Sequence, residues 1–264
     1  MDFYNKDNGL YVYGVDKGDY CEVVFNQEPK KNPFDTNLAK VFPLVIDFLK
    51  SSTYKAIVFR GSGETFSSGG DFKFLEDRIL DTSQNNIHVM KDFYNSFLKV
   101  RELPQLTIAL IEGAAIGAGL CFAMACDFRL VQKHAKLALN FVHLGINPGM
   151  GAWPLSKALL GESKAKYLLM SGVRFSGEDF YNWGGANHLI DQDTDTDTEL
   201  KSFVDSFKHS SSFANAMLKN EIIQDESFNK YLDAEALGQS KCFSGEDYKK
   251  RLNNALAKIS NRKK

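Results

Sequence analysis

The sequence predicts an α/β fold with parallel strand pairing, followed by a helical C-terminal region. Three observations predict it. Short apolar runs alternate with stretches of helical periodicity through the first two thirds of the chain. Two of these runs lead into glycine-rich loops. Strand signals stop near residue 198. Alternation of this kind is the pattern of helices laid on a parallel sheet. At 264 residues the chain can bury roughly 70–75% of its unfolded surface, so it needs no disulfide or metal staple.

Taken in order, Gly9 to Phe25 alternates and is rich in Tyr and Val, which predicts two strands broken at Asp16-Lys17-Gly18-Asp19. Asn26 to Pro33 is a polar connection. From Asn37, Leu38, Val41, Phe42, Val45, Phe48 and Leu49 recur at helical spacing. Ala56-Ile57-Val58-Phe59 is a buried strand ending at Arg60-Gly61-Ser62-Gly63. Ile87 to Leu103 is a helix, Thr107 to Ile111 a strand, Gly113 to Gly119 a flexible link, and Leu120 to Cys126 a short apolar helix. Phe128 to Val131 and Leu137 to Leu139 are strands, and Ser156 to Ser171 is a helix. Asp191 to Asp197 is acidic and reads as a solvated linker. Leu200 to Lys264 is helical by pattern, so the division falls into a core at 1–198 and a helical region at 199–264, with Asn261 to Lys264 a solvated tail.

Composition excludes several classes. The 32 basic and 33 acidic residues leave a net charge of −1, without the basic excess of nucleic-acid proteins. No apolar run reaches the ~20 residues of a membrane span. The N-terminal residues are polar and acidic, with no signal-type apolar segment. Cys21, Cys121, Cys126 and Cys242 lack CxxC spacing and read as reduced thiols of a cytoplasmic protein, with no metal site expected. The 21 Phe residues imply a large aromatic contribution to a core or an apolar pocket.

Two glycine-rich turns carry the chemistry. Phe66-Ser67-Ser68-Gly69-Gly70-Asp71 follows a strand. Glu112-Gly113-Ala114-Ala115-Ile116-Gly117-Ala118-Gly119 lies between a strand and a helix. At a helix N-terminus the first amides lack intrahelical partners and favour negative charge. Either turn alone also fits a purely structural role. Neither fits a Walker A loop, a dinucleotide fingerprint or a nucleophile elbow. Asp71 suits a cap on its own loop. Glu64 and Glu112 flank the turns as solvent-facing or capping groups.

Together the two turns resemble the crotonase (enoyl-CoA hydratase/isomerase) superfamily. The first is similar to its Phe-x-Ala-Gly-x-Asp motif. The second, through Cys126-Asp127, is similar to its Asn-Gly-x-Ala-x-Gly-Gly-Gly motif. Leu144-Gly145-Ile146-Asn147-Pro148-Gly149-Met150-Gly151 and Gly172 to Leu189 extend the match, and Asn26 to Phe34 fits loosely. The resemblance covers about residues 1–190, and the C-terminal helices carry it weakly. It implies a spiral of ββα units. It also implies an acyl-CoA thioester substrate, with coenzyme A part of the substrate and no other cofactor required. The thioester oxygen would be held by the backbone N–H groups of Gly70 and Ala118. Ala118 replaces a family glycine and suits this role if its φ is negative.

The family's hydratase glutamates are missing. Their positions hold Cys121 and Phe141, and an isomerase glutamate position holds Gly149. Ordinary hydration is therefore expected to be weak. Isomerisation, decarboxylation, or non-catalytic acyl-CoA binding stay open. Cys121 in a first helical turn is either an activated thiol or a small buried hydrophobe. His143 can act as a base near neutrality or face away as a packing residue. Asn140 can hydrogen-bond a carbonyl. Phe141, Phe122, Met150 and Trp153 would keep the acyl pocket dry, which suits loss of a carboxylate. Ser68, Asp71, Lys73, Lys30 and Lys258 are candidate contacts for CoA. The carrier is CoA or an acyl-carrier protein. The resemblance also implies a homotrimer or hexamer through the C-terminal helices, with Phe203, Phe207, Phe213, Met217 and Leu218 as candidate interface residues.

Overall fold

The Tyr- and Val-rich start of the chain forms a hairpin. β1 (Val12–Asp16) runs antiparallel to β2 (Tyr20–Phe25). The Asp16 carboxylate accepts the Gly18 N–H at 2.8 Å and closes the turn. The computed structural model describes Phe3 and residues 11–191, 193–223 and 226–262. Gly9, Leu10, Lys263 and Lys264, part of the predicted first strand and tail, lie outside the described residues.

The chain then climbs in repeated units. α1 (Thr36–Lys50) starts at Asp35, whose side chain caps the Leu38 N–H. β3 (Ala56–Gly61) and the short β4 (Thr65–Ser67) follow, then α2 (Phe72–Asp77) and α3 (Ser83–Leu98). β5 (Leu106–Ile111) and β6 (Ala114–Ile116) lead to α4 (Ala118–Ala125). β7 (Phe128–Gln132) and β8 (Lys136–Ala138) lead to α5 (Ala152–Ser171), broken at Gly161. β9 (Arg174–Ser176), α6 (Gly177–Asn182) and β10 (His188–Ile190) complete the spiral. The long strands form a sheet in the order β1-β2-β3-β5-β7-β10, parallel after the hairpin. The short strands form a second sheet, β4-β6-β8-β9.

β4 and β6 carry no strong sequence signal because each is three residues long and rich in Ser, Thr and Ala. Their parallel pairing, with Ser67 opposite Ala115, is what matters for function. It sets the loop after β4 beside the loop after β6, so the two glycine-rich turns meet.

The phenylalanines form the core more than a pocket. The Phe122 ring on α4 meets the rings of Phe59, Phe25, Phe42 and Phe34 at centroid distances of 5.1, 5.4, 5.5 and 5.6 Å, each edge-to-face. Such pairs add to the stabilisation from burial.

The predicted linker at 191–197 is partly structured. Asp195 caps α7 (Thr196–Asp205) through the Thr198 N–H, so the helix begins before the expected boundary. Asp197 reaches Arg60 at 2.9 Å, and Arg60 also pairs with Glu112 and Glu22. Glu112 is therefore an ion-pair partner and neither a cap nor a solvent-facing group. α7 lays Leu200 and Val204 on one face of the large sheet. Phe203 and Phe207 pack on Phe128 there, which removes them from the exposed candidates. α8 (Ser212–Ile223), α9 (Glu226–Phe243) and α10 (Glu246–Arg262) follow. Phe228, Leu232, Ala236, Phe243, Tyr248 and Leu252 of α9 and α10 enter the same core cluster as Phe25 and Phe122. α9 and α10 are thus packed into the core.

Candidate active site

The loop after β4 is tied down at each amide but one. The Ser68 N–H donates to Lys31 O (2.9 Å) and the Gly69 N–H to Ser67 Oγ (3.2 Å). The Asp71 N–H donates to Phe34 O (2.9 Å). Gly69 O accepts the Phe34 N–H at 2.8 Å. In a trans peptide C=O and N–H point to opposite sides, so the Gly70 N–H points away from Phe34. It has no acceptor among the described residues. Gly69 needs its glycine: its φ is +92°, and a Cβ there would lie 2.6 Å from Ile116 O and 3.6 Å from Ala118 N.

The second loop is built the same way. The Gly117 N–H donates to Ala138 O at 2.8 Å, and Gly117 O accepts the Cys121 N–H at 3.0 Å as the first helical bond of α4. The Ala118 N–H, on the other side of that peptide, points off the helix N-terminus. It too has no acceptor among the described residues. Gly117 takes the positive φ (+52°) that starts the helix, and Ala118 does not have one.

Gly70 and Ala118 line one cavity of about 470 Å³. Its apolar wall includes Phe74, Phe93, Met90, Ile146, Phe141 and Met150. Ser68, Asn140, His143 and Lys258 line it as well, joined by Arg174, Arg251, Tyr94 and Gln239. No Asp or Glu side chain is among the described residues that line it. Arg251 is paired with Asp247 at 2.8 Å. Neither Arg174 nor Lys258 has a carboxylate within salt-bridge distance among the described residues.

Several expected site residues fall elsewhere. Cys121 does not line the cavity. Its thiol is buried and donates to Gly149 O at 3.7 Å. Burial, with a smaller contribution from the Glu235 charge, holds its pKa well above the ordinary thiol value. That is the opposite of activation, because desolvation outweighs the helix N-terminus. Asp71 is the N-cap of α2, accepting the N–H groups of Lys73 (2.8 Å) and Phe74 (3.2 Å). Lys73 is exposed and paired with Asp77 at 2.8 Å, and neither it nor Lys30 lines the cavity. Phe122 and Trp153 are not in the wall; Phe122 belongs to the aromatic core.

His143 sits in a short 3₁₀ turn, Phe141–Leu144, at the cavity edge. Its Nε2 lies 2.9 Å from Ser171 O. A carbonyl only accepts, so Nε2 carries a proton, which leaves Nδ1 as the acceptor in the neutral ring.

Comparison with known proteins agrees with this fold. The family model described as enoyl-CoA hydratase/isomerase matches residues 17–259. The chain belongs to the enoyl-CoA hydratase/isomerase family. It is 29% identical over 178 residues to a putative enoyl-CoA hydratase/isomerase, YhaR, of Bacillus subtilis (strain 168), covering 66% of this chain and 68% of that protein. It is 31% identical over 202 residues to the mitochondrial methylglutaconyl-CoA hydratase of Mus musculus, covering 76% and 60%. It is 24% identical over 197 residues to the ethylmalonyl-CoA decarboxylase of Homo sapiens, covering 74% and 60%. The match thus spans about three fifths of the length of these last two relatives. A solved enoyl-CoA hydratase from Bacillus halodurans superposes with a TM-score of 0.83 at 24% identity, covering 93% of this chain and all of that one. The crotonase-type spiral expected from the two motifs is therefore the fold of this family member.

Tyr94, Gln239, Arg174, Arg251 and Asn254 are cavity residues that sequence reasoning missed. For Gln239 a signal existed. It falls at helical spacing with Phe228, Leu232, Ala236 and Phe243, on the buried face of α9. A polar residue on an apolar stripe needs a partner, and that need was readable.

Proposed function

We propose that this protein is an acyl-CoA thioester enzyme that forms an enolate, and that it decarboxylates a malonyl-type acyl-CoA. The observation that carries this reading is the cavity itself. It is lined by Gly70 and Ala118, whose N–H groups have no acceptor among the described residues, and none of the described residues lining it is a carboxylate. The N–H groups of Gly70 and Ala118 suit the thioester oxygen, where negative charge develops. Fixed backbone donors need no reorganisation, and one such donor is worth roughly 10²–10³ in kcat.

Hydration and α-proton abstraction in this family's manner call for a positioned acid or base, worth about 10²–10⁴-fold. With Phe141 at one wall and Cys121 buried outside it, that help is missing. Decarboxylation needs no base. The electrons of the breaking C–C bond flow into the thioester carbonyl, CO₂ leaves, and the enolate takes a proton from water at its α-carbon. Similarity to the ethylmalonyl-CoA decarboxylases supports the same choice. Arg174, Lys258 and Arg251 give the cavity a cationic side that suits the phosphates of CoA.

The test is incubation with ethylmalonyl-CoA, malonyl-CoA and crotonyl-CoA, with thioesters resolved by chromatography. Release of CO₂ with formation of the shortened acyl-CoA is expected. Hydration of crotonyl-CoA without decarboxylation of either diacid thioester would overturn the reading. A second reading rests on His143, whose free Nδ1 could move a proton in double-bond isomerisation. Conversion of a 3-enoyl-CoA to its 2-enoyl isomer, lost in His143→Ala, would favour it.

We also infer self-association through the C-terminal region. α8 buries none of its residues and exposes Phe213, Met217, Leu218 and Ile222. Light scattering after gel filtration is expected to give a trimer or a hexamer; a monomer would contradict it.

A further inference from the structure

One buried polar pair in the cavity wall is not catalytic by any pattern in the sequence. Tyr94 on α3 donates its hydroxyl to Gln239 Oε1 on α9 at 2.7 Å, and Gln239 Nε2 donates to Asn147 O at 2.8 Å. Both side chains are buried and both line the cavity. A Cβ on Gly149 would lie 2.3 Å from Tyr94 Oη and 2.6 Å from Gln239 Nε2. The pair therefore fills the space that a side chain at position 149 would take. Around it the wall is apolar, with Met90, Phe93, Ile146 and Met150. A buried polar pair in such a wall costs desolvation and keeps hydrogen-bonding capacity in reserve. Here that reserve is the second Nε2 proton of Gln239, since the single Tyr94 proton is already held by Gln239 Oε1.

We propose that the Tyr94–Gln239 pair is the subsite for the carboxylate of a 2-carboxyacyl thioester. This rests on the decarboxylase reading above and names its substrate-recognition element. The second Nε2 proton of Gln239 is the neutral donor to the carboxylate, and Tyr94, whose one proton goes to Gln239 Oε1, holds that amide in place. The cationic residues that line the cavity come from other elements, β9 (Arg174) and α10 (Arg251 and Lys258). An anion held by a neutral donor in an apolar wall gains when it leaves as neutral CO₂. The α-carbon bond breaks, its electron pair moves onto the oxygen held by Gly70 and Ala118, and water supplies the proton that completes the product.

The test compares a carboxylated ligand with its decarboxylated twin. KM and kcat are measured for ethylmalonyl-CoA, and an inhibition constant for butyryl-CoA, in wild type, Tyr94→Phe and Gln239→Glu. Tyr94→Phe, which removes the bond that orients the Gln239 amide, is expected to raise KM for ethylmalonyl-CoA about tenfold as the hydrogen bond from Gln239 to the carboxylate is lost. Butyryl-CoA inhibition should stay within twofold of wild type. Gln239→Glu should reject ethylmalonyl-CoA more strongly while still binding butyryl-CoA. Equal weakening of both ligands would mean that the pair only packs the wall, and no change in either would mean that no carboxylate sits there. Either result overturns the subsite while leaving wild-type decarboxylation standing. If wild type binds butyryl-CoA but turns over no 2-carboxyacyl thioester, the decarboxylase reading falls and this one with it.

Discussion

Replacing Gly70 by proline removes its N–H and sets a ring carbon in that place. The neighbouring bonds that tie down its loop use Gly69 O and the Asp71 N–H, both to Phe34, and neither uses the Gly70 amide. Gly70 has no positive φ, and a Cβ built there meets no atom within 4 Å. Gly70→Ala is therefore a matched control that keeps the donor. Proline keeps the chain but has no N–H. Loss of one oxyanion donor should lower kcat about 10²–10³-fold, or roughly 2.7–4 kcal/mol in the transition state. The assay is ethylmalonyl-CoA turnover for both variants, with circular dichroism and urea midpoints to show that each is folded. The expected result is near-normal turnover in Gly70→Ala and the full loss in Gly70→Pro. A folded Gly70→Pro variant within threefold of Gly70→Ala would refute the assignment of that amide.

Cys121→Ala should keep turnover within about threefold, because its buried thiol lies outside the cavity and far from ionising; a loss of a hundredfold would restore it as a catalytic group. Alkylation of the native protein at pH 8, followed by mass spectrometry, should mark Cys242 and spare the buried Cys21, Cys121 and Cys126. Glu235 accepts the N–H groups of Gly151 (2.7 Å) and Trp153 (3.1 Å), and burial pushes its pKa from 4.5 to about 7. The folded state then binds a proton that the unfolded state has released. Its contribution is complete below pH 4.5 and is lost as pH rises to about 7. That window is worth on the order of 3 kcal/mol. Urea midpoints should fall with pH across it in wild type and less so in Glu235→Gln, and equal slopes would contradict this. Phe122→Ala should cost about 3–5 kcal/mol by urea unfolding, since the emptied ring site is enclosed by four other rings.

The long strands and helices were legible because apolar periodicity and length agree over six or more residues. Ala56–Gly61 and Leu106–Ile111 are such runs, and parallel α/β pairing followed from their alternation, while the spiral came from the motif resemblance. β4 and β6 were not, because three residues each, Thr65-Phe66-Ser67 and Ala114-Ala115-Ile116, are too few to show a period, although their pairing assembles the site. Gly70 and Ala118 were found through motif resemblance and stand in one cavity. The charged candidates fared differently. Lys73 and Asp71 lie close in sequence to the first turn, but Asp71 faces its own helix and Lys73 faces Asp77. The cations that do line the cavity, Arg174 and Arg251 among them, come from elements distant in sequence, and only the packing of β9 and α10 brings them there. Cys121 shows a contest of two effects. A helix N-terminus lowers a thiol pKa, but complete burial raises it further.

Infrared difference spectroscopy of butyryl-CoA, isotope-labelled at its carbonyl carbon, addresses the paired amides most directly. Bound to wild type, the carbonyl band should move to lower frequency than in water, and Gly70→Pro should return it most of the way. A bound thioester whose carbonyl band stays at its solution position would show that no pair of backbone donors meets that oxygen.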